Sequence, residues 1–399
     1  MLLWPRTPTF RRSLRSLSNA HRNPHHSSFF HLNLSSSIQP QVSGVLDDDC
    51  EGFLPWLEWK AGSGISSSLS IGKSSYGRSL FASRIIHPGE CILQVPYAVQ
   101  ISVDNLLPEI RSLISNEVGN ISKLAAVILV EQKLGRDSEW DPYISCLPQQ
   151  GQLHNTIPFA DFLNHDGVSE AIVMSDDDKQ YSEVIADRGY APGEQVLIRY
   201  GKFSNTTLML DFGFTLPYNN YDEVQIQLEI PKHDSLHDMK MELLRRYFVR
   251  SPKDVKGLSN SVNSFIVKEV IPTSAKGKGL PQSLRAFARV LSCTFPQELN
   301  DLAMEAAQTD GRLARRPLCN INKEIEAHLI LSSLFTKLIA ERSEAIMSLE
   351  FSNASISTKV DVRRTMARDL LVGELRILKS ASAWLDNYCF SLSGQAIHC

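Results

Sequence analysis

Between Ile157 and Phe214 the chain brings side chains of unlike chemistry together. An Asn164-His165 pair closes the loop Ile157-Pro-Phe-Ala-Asp-Phe-Leu163, and Tyr200 ends the apolar run Gln195-Val-Leu-Ile-Arg199. Polar groups on a loop and at a strand end are placed for binding or proton chemistry, not for a repeating core. No second His or Cys stands three or four residues from His165, which leaves a metal site unsupported. A Gly-x-Ser-x-Gly elbow and a Gly-x-Gly-x-x-Gly turn are both missing from the sequence. Each residue also has a plainer role, which residue type alone favours: His165 as a hydrogen-bonded structural residue, Tyr200 as a strand-end tyrosine, Asp161 as a cap.

The flanking patterns say which elements carry these groups. Gly52–Trp59 has near-helical apolar spacing and predicts a short packing helix. Leu80–Ile86, His87-Pro-Gly-Glu90 and Cys91–Val95 read as strand, turn and strand, and Ala191-Pro-Gly-Glu194 repeats the turn before Gln195–Arg199. Leu124, Val127, Ile128 and Glu131 predict a helix from Ser122, its N-cap, to Leu134, stopped by Gly135. Ala171–Met174 with Glu183–Ala186 reads as a hairpin around a polar tip. From about Pro231 the pattern turns helical: 236–248, 284–291, 297–307, 321–349 and 360–390. In the last, Met366, Leu370, Ile377, Trp384 and Tyr388 form a stripe that wants a partner helix. Ser274–Gly279 reads as a flexible basic loop.

With 399 residues the chain has length for two domains and a tail. Residues 1–46 hold five arginines, many serines and no acidic residue, the composition of an organelle transit peptide. Without them 36 Lys+Arg face 44 Asp+Glu, a net charge near −8 that argues against general nucleic-acid binding. Residues 47–231 carry 12 basic and 26 acidic side chains, and 232–399 carry 24 and 18, so an acidic half precedes a basic one. Seven scattered cysteines without Cys-x-x-Cys fit neither a disulfide framework nor a zinc cluster. No apolar run approaches the ~18 residues of a membrane helix.

Five segments in order carry a resemblance: Tyr76-Gly-Arg-Ser-Leu-Phe-Ala82, Pro88-Gly-Glu90, Ala160-Asp-Phe-Leu-Asn-His165, Gly193–Tyr200 and Leu210-Asp-Phe-Gly-Phe214. Together they resemble a SET-domain protein methyltransferase, and the helical remainder is similar to the C-terminal domain of the Rubisco large-subunit methyltransferase subfamily. The resemblance implies an α+β chain: a β-rich SET (β-clip) domain over 47–230, then an all-α substrate-binding domain over 231–399. It implies S-adenosylmethionine as cofactor, a protein lysine as acceptor, no nucleic acid or membrane partner, and a monomer. The turn matching Tyr76, Gly77 and Arg78 would offer backbone groups to the cofactor, with side-chain identity at Arg78 and Ser79 of little weight. Asn164 and His165 would hold its adenosyl part, Tyr200 would stand beside the methyl group, Phe212 and Phe214 would supply aromatic walls, and Asp161 would lie on the lysine side. With the leader, this implies an enzyme of the chloroplast stroma, or alternatively of the mitochondrion.

One departure stands out. Members of the family carry a long helical insertion between a strand that Pro142–Pro148 resembles and the segment before Ala160–His165, where only Gln149–Thr156 joins the flanks here. The alternative reading is therefore a catalytically impaired SET remnant that acts as a protein-binding module.

Overall fold

The computed structural model describes residues 52–62, 65, 68–74, 77–115, 117–147, 157–247, 263–271, 273, 277–308, 311–351 and 358–396. The leader, Tyr76 and the junction at 149–156 lie outside these residues. The chain divides into two compact units, Met1–Gly201 and Lys202–Cys399. This division falls before the expected boundary at 230/231.

In the first unit, α1 (Phe53–Ala61) buries Phe53 and Leu57 one turn apart and stops at Gly62, whose left-handed φ of 66° lets its N–H reach the Trp59 carbonyl. β1 (Leu69–Ser74), not expected from the sequence, pairs antiparallel with β2 (Gly77–Ala82) in the register Leu69↔Ala82 to Ser74↔Gly77. β3 (Cys91–Pro96) belongs to another sheet. α2 (Pro108–Leu113) starts on a proline whose missing N–H costs nothing there. α3 (Asn120–Leu134) buries Leu124, Val127, Ile128 and Glu131 as expected and ends at Gly135. Ser122 is not its cap: Gly119, extended at φ −65° and ψ 155°, takes that place and starts the helix three residues earlier.

The expected strand at 142–148 is instead α4 (Asp141–Ile144) and a turn, because Pro142 sits in the first helical turn, where its fixed φ suits a helix. β4 (Asn164–His165) is followed by the hairpin β5 (Val173–Asp176) and β6 (Tyr181–Ile185), and then by β7 (Leu197–Ile198). β3, β6 and β5 form one antiparallel sheet in that order, while β4 and β7 pair in parallel, Asn164 with Leu197 and His165 with Ile198. Leu80, Ile92, Val95, Trp140, Tyr143, Phe159, Val184 and Val196 share the core.

The two Pro-Gly-Glu turns are built alike. Gly89 and Gly193 both sit at φ 81°. Glu90 and Glu194 each accept the amide three residues back, from His87 at 3.1 Å and Ala191 at 3.0 Å, and each pairs with an arginine six residues back, Arg84 or Arg188. The carboxylate thus closes the turn that the Pro-Gly pair opens.

The second unit begins with the short α5 (Asn205–Thr207), which widens into a π-helix over Leu208–Phe212 and is stopped by Gly213 at φ 78°. β8 (Glu223–Gln227) pairs antiparallel with β9 (Ser264–Lys268), a strand inside the half expected to be purely helical. Its alternating burial of Phe265 and Val267 has the two-residue period of a strand with one buried face. Around this ribbon stand α6 (His237–Tyr247), α7 (Gln282–Ser292), α8 (Pro296–Gln308), α9 (Ile321–Phe351) and α10 (Thr358–Ala396). The expected stripe finds its partner: α10 packs along α9, burying Ile377, Ala381 and Trp384 with Leu331 and Phe335. Among the described residues no helix is long and apolar enough to cross a membrane.

The end of the supposed flexible basic loop is tightly packed. A Cβ on Gly277 would meet the Trp384 ring at 2.6 Å, and one on Gly279 the Glu269 carbonyl at 2.5 Å, so backbone and indole occupy the space of a side chain.

A buried ion cluster ties α7 to α9 and α10. Arg289, 1% exposed, donates to Glu324 through Nε at 2.8 Å and through its terminal nitrogen at 2.5 Å, and its other nitrogen holds the Ala314 carbonyl at 2.8 Å. Glu324 also accepts the Leu318 amide at 3.0 Å and the Tyr388 hydroxyl at 2.9 Å. Burial raises its pKa, but the Arg289 guanidinium outweighs that and holds it at about 2. Arg285 Nε donates to His328 Nε2 at 3.0 Å, so the hydrogen of His328 is on Nδ1, 2.8 Å from the Glu324 carbonyl.

Candidate active site

In the first unit β2, α4, the turn before β4 and the end of β7 converge on a few polar side chains. Asn164 reaches back to β2, where its Nδ2 donates to the Arg78 carbonyl at 3.2 Å and to Ser79 Oγ at 3.1 Å. Gln195 Nε2 donates to the same hydroxyl at 2.5 Å, and Ser79 is 0% exposed. The Asn164 amide is thus committed to fixing the strand that begins at Gly77. The Arg78 guanidinium donates to the Cys146 carbonyl and lies 5.2 Å from the Phe162 ring centre. Both side chains are thus engaged within the unit and anchor the backbone groups they flank.

Parallel pairing of β4 with β7 brings His165 to Tyr200. The Tyr200 amide donates to His165 Nδ1 at 3.0 Å, and its hydroxyl donates to the Leu163 carbonyl at 2.7 Å. With Nδ1 accepting, the neutral ring carries its hydrogen on Nε2. Burial pushes the His165 pKa down to about 4. Burial, helped by the charge of Asp161, also pushes the Tyr200 phenol up, so both side chains are neutral near pH 7.

Asp161 sits in a 3-10 turn, Ala160–Phe162, entered through Phe159. Phe159 is fully buried at φ 73°, a conformation costing about 1–3 kcal/mol, and it marks this turn as held by its surroundings. Although the Asp161 residue as a whole is half-buried, its Oδ1 is buried and has no hydrogen-bond partner among the described residues. The Tyr143 hydroxyl donates to Oδ2. Burial raises the Asp161 pKa to about 7, with the Tyr143 hydroxyl and the backbone at Ile157 pulling the other way.

Asp161, Asn164, His165 and Tyr200 thus form one group, with Gly77 and Arg78 tied to it through Asn164. Phe212 and Phe214 belong to the second unit, where their ring centres are 6.3 Å apart and Phe203 lies 5.7 Å from Phe212. Tyr143 and Gln195 are not singled out by sequence reasoning, and Ser79 is given little weight there. Tyr143 shows no local signal, because its partner lies 18 residues away across the junction. A cleft of this unit, about 590 Å³ and lined by Trp56, Trp59, Lys60, Glu139 and Pro142 among others, contains none of the group. The hydrogen-bonded polar cluster, not that cleft, has the chemistry of a site. Among the described residues no cluster of three or more His, Cys, Asp or Glu could hold a metal ion.

The SET domain family matches residues 77–201, and the Rubisco LSMT substrate-binding family matches 231–378. Among curated proteins, the actin-histidine N-methyltransferase of Homo sapiens is 36% identical over 238 residues, 56% of this chain and 35% of that protein. The enzyme of that name from Canis lupus familiaris is 30% identical over 249 residues, 58% and 37%. The chain spans little more than a third of the length of these relatives. Of solved structures, that of Rubisco LSMT bound to AdoMet aligns with a TM-score of 0.62 at 17% identity, covering 88% of this chain and 94% of that one. The SET domain of LSMT bound to lysine and AdoHcy gives 0.60 at 17%, covering 87% and 92%. At that identity the likeness establishes the fold. A segment matching the SET domain is thus followed by one matching the Rubisco LSMT substrate-binding domain, an order that fits the LSMT-like SET subfamily.

Proposed function

We propose that this chain is an S-adenosylmethionine-dependent protein methyltransferase whose acceptor is a lysine of an organellar protein. The observation that carries the reading is the Asn164, His165 and Tyr200 clamp inside the segment matching the SET domain, with a buried carboxyl beside it. Support for the cofactor comes from the LSMT structures with AdoMet and AdoHcy, and for a lysine acceptor from the one that also holds lysine. The actin-histidine relatives make histidine the competing acceptor.

The residues present fit such a cofactor. Gly77, at φ 94°, has nothing within 4 Å of where a Cβ would stand, so the start of β2 leaves open space against its backbone. Gly77, Arg78, Asn164 and His165 would hold the cofactor there, with Tyr200 beside the reacting centre. When bound, S-adenosylmethionine supplies a methyl group on a positively charged sulfur. The protein's part is alignment: Asn164 pins β2, His165 pins the Tyr200 backbone, and Leu163 orients the phenol, so no reorganisation is left for the reaction itself. A neutral His165 adds no positive charge that would repel the sulfonium. The acid-free, Arg- and Ser-rich residues 1–46 support an organellar address, the stroma first and the mitochondrion second.

Calorimetry with S-adenosylmethionine and transfer of a tritiated methyl group to purified Rubisco, actin and stromal protein test the proposal. Binding that is lost in Asn164→Ala, and label on a lysine located by mass spectrometry, are the expected results. Label on histidine would move the acceptor. Absence of both binding and label would leave a protein-binding remnant.

A further inference from the structure

The Tyr143–Asp161 pair has a feature that alignment of cofactor and acceptor does not use. One carboxyl oxygen is held by a fully buried phenol, and the other is buried with no hydrogen-bond partner among the described residues. A buried oxygen without a partner costs about 1–3 kcal/mol unless a donor arrives. The cost is concentrated beside the candidate site, since Asp161 lies within electrostatic reach of the Tyr200 phenol. We propose that Asp161 is the proton acceptor for the nitrogen to be methylated, receiving its N–H at Oδ1 while Tyr143 holds Oδ2 as a positioning residue. The inference rests on the methyltransferase reading above.

The step balances. A lysine enters as an ammonium, with a reference pKa of about 10.4, and has no lone pair to donate. Its N–H bond breaks with the electron pair left on nitrogen, the proton forms an O–H bond at Oδ1, and the resulting acid returns the proton to water after the product leaves. The groups facing Asp161 suit the task. Tyr143 on α4 and Tyr200 at the end of β7 are both phenols whose pKa burial drives upward, so neither carries the negative charge that would compete for the proton. An acid that titrates near neutrality is ionised often enough to receive a proton and weak enough to keep it while nitrogen attacks.

Carbon-13 NMR of the full chain labelled at the aspartate carboxyl, with Asp161→Asn for assignment, tests this without needing the natural substrate. In the wild type the Asp161 signal should titrate close to pH 7. Tyr143→Phe removes a donor that favours the carboxylate, so the midpoint should rise. With AdoHcy present, saturating free L-lysine should lower the midpoint by pairing with Oδ1, and the same shift with N-acetylhistidine amide instead would change the acceptor and keep the role. A midpoint in the ordinary carboxylate range, or one that neither probe moves, would overturn the inference. Calorimetry on the same samples separates the two levels: if the cofactor binds and the midpoint does not respond, only the proton-acceptor role falls, whereas failure to bind removes the methyltransferase reading beneath it.

Discussion

Tyr200 and His165 meet through the backbone of one and the ring of the other: the Tyr200 amide donates to His165 Nδ1 at 3.0 Å, with the ring centres 5.2 Å apart. The bond fixes the tautomer as well as the position, since a ring that accepts at Nδ1 keeps its hydrogen on Nε2. Histidine-selective nitrogen-15 spectra should show this tautomer for His165 at pH 7, with protonation delayed to about pH 4. A midpoint near the reference 6.5 would contradict the burial described for the ring.

The buried His328 and Glu324 make the protein acid-sensitive in two windows. His328 has a folded pKa of about 4, below its unfolded value near 6.5, so the unfolded chain binds the extra proton first. Its share of stability is complete above pH 6.5 and is lost as the pH falls toward 4. Glu324 behaves in the same direction between about 4.5 and 2. His165 adds a loss in the same window and Asp161, whose folded pKa is raised, opposes it, so the readout is a difference: between pH 7 and pH 5 the wild type should lose on the order of 2 kcal/mol more stability in urea than His328→Asn.

Ser79→Ala leaves two donors, Asn164 Nδ2 and Gln195 Nε2, facing a methyl group. Leaving buried donors unsatisfied costs about 1–3 kcal/mol, whereas Arg188→Ala, which breaks an exposed pair, should cost at most about 1 kcal/mol. Denaturant midpoints for the two variants check the order. Ser79→Ala should also weaken cofactor binding, because the start of β2 loses its anchor.

Breaking the Arg289–Glu324 pair from one side should be more damaging than either change above. Glu324→Gln leaves Arg289 buried without its counter-charge, and Arg285 loses a nearby charge as well. Removing one partner of such a pair costs about 3–5 kcal/mol, and a thermal-unfolding scan should show the largest loss of the set.

Gly373→Ala tests packing of α10 against Asp222. An added Cβ would stand 2.3 Å from Asp222 Oδ2, and that carboxylate cannot give way freely because it accepts the Asn205 amide at 2.8 Å. Overpacking of this kind costs about 1–3 kcal/mol, so the variant should unfold at lower denaturant than Gly394→Ala, where the added methyl meets nothing within 4 Å.

Local signals carry some of this structure and long-range ones carry the rest. The helix of Leu124, Val127, Ile128 and Glu131 and the two Pro-Gly-Glu turns are legible because their spacing is their geometry. Asn164, His165, Tyr200 and Asp161 are legible as a group because the order of segments resembles a family. Tyr143 and Ser79 are not, since each is given meaning by a partner that only the fold brings near. β9 is hidden because Phe265-Ile-Val267 is too short to stand out between helical segments, and Pro142 misleads because it suits a first helical turn as well as an extended end.

The parallel match of β4 with β7 also bears on the order of assembly. It is two residue pairs long and closes a loop of roughly thirty residues, so it repays little of the chain entropy spent in closing it. The β5–β6 hairpin lies within that loop and forms by local contacts. The pairing that joins His165 to Tyr200 should therefore form after the hairpin has shortened the gap, and hydrogen exchange should show its amides opening before those of the hairpin.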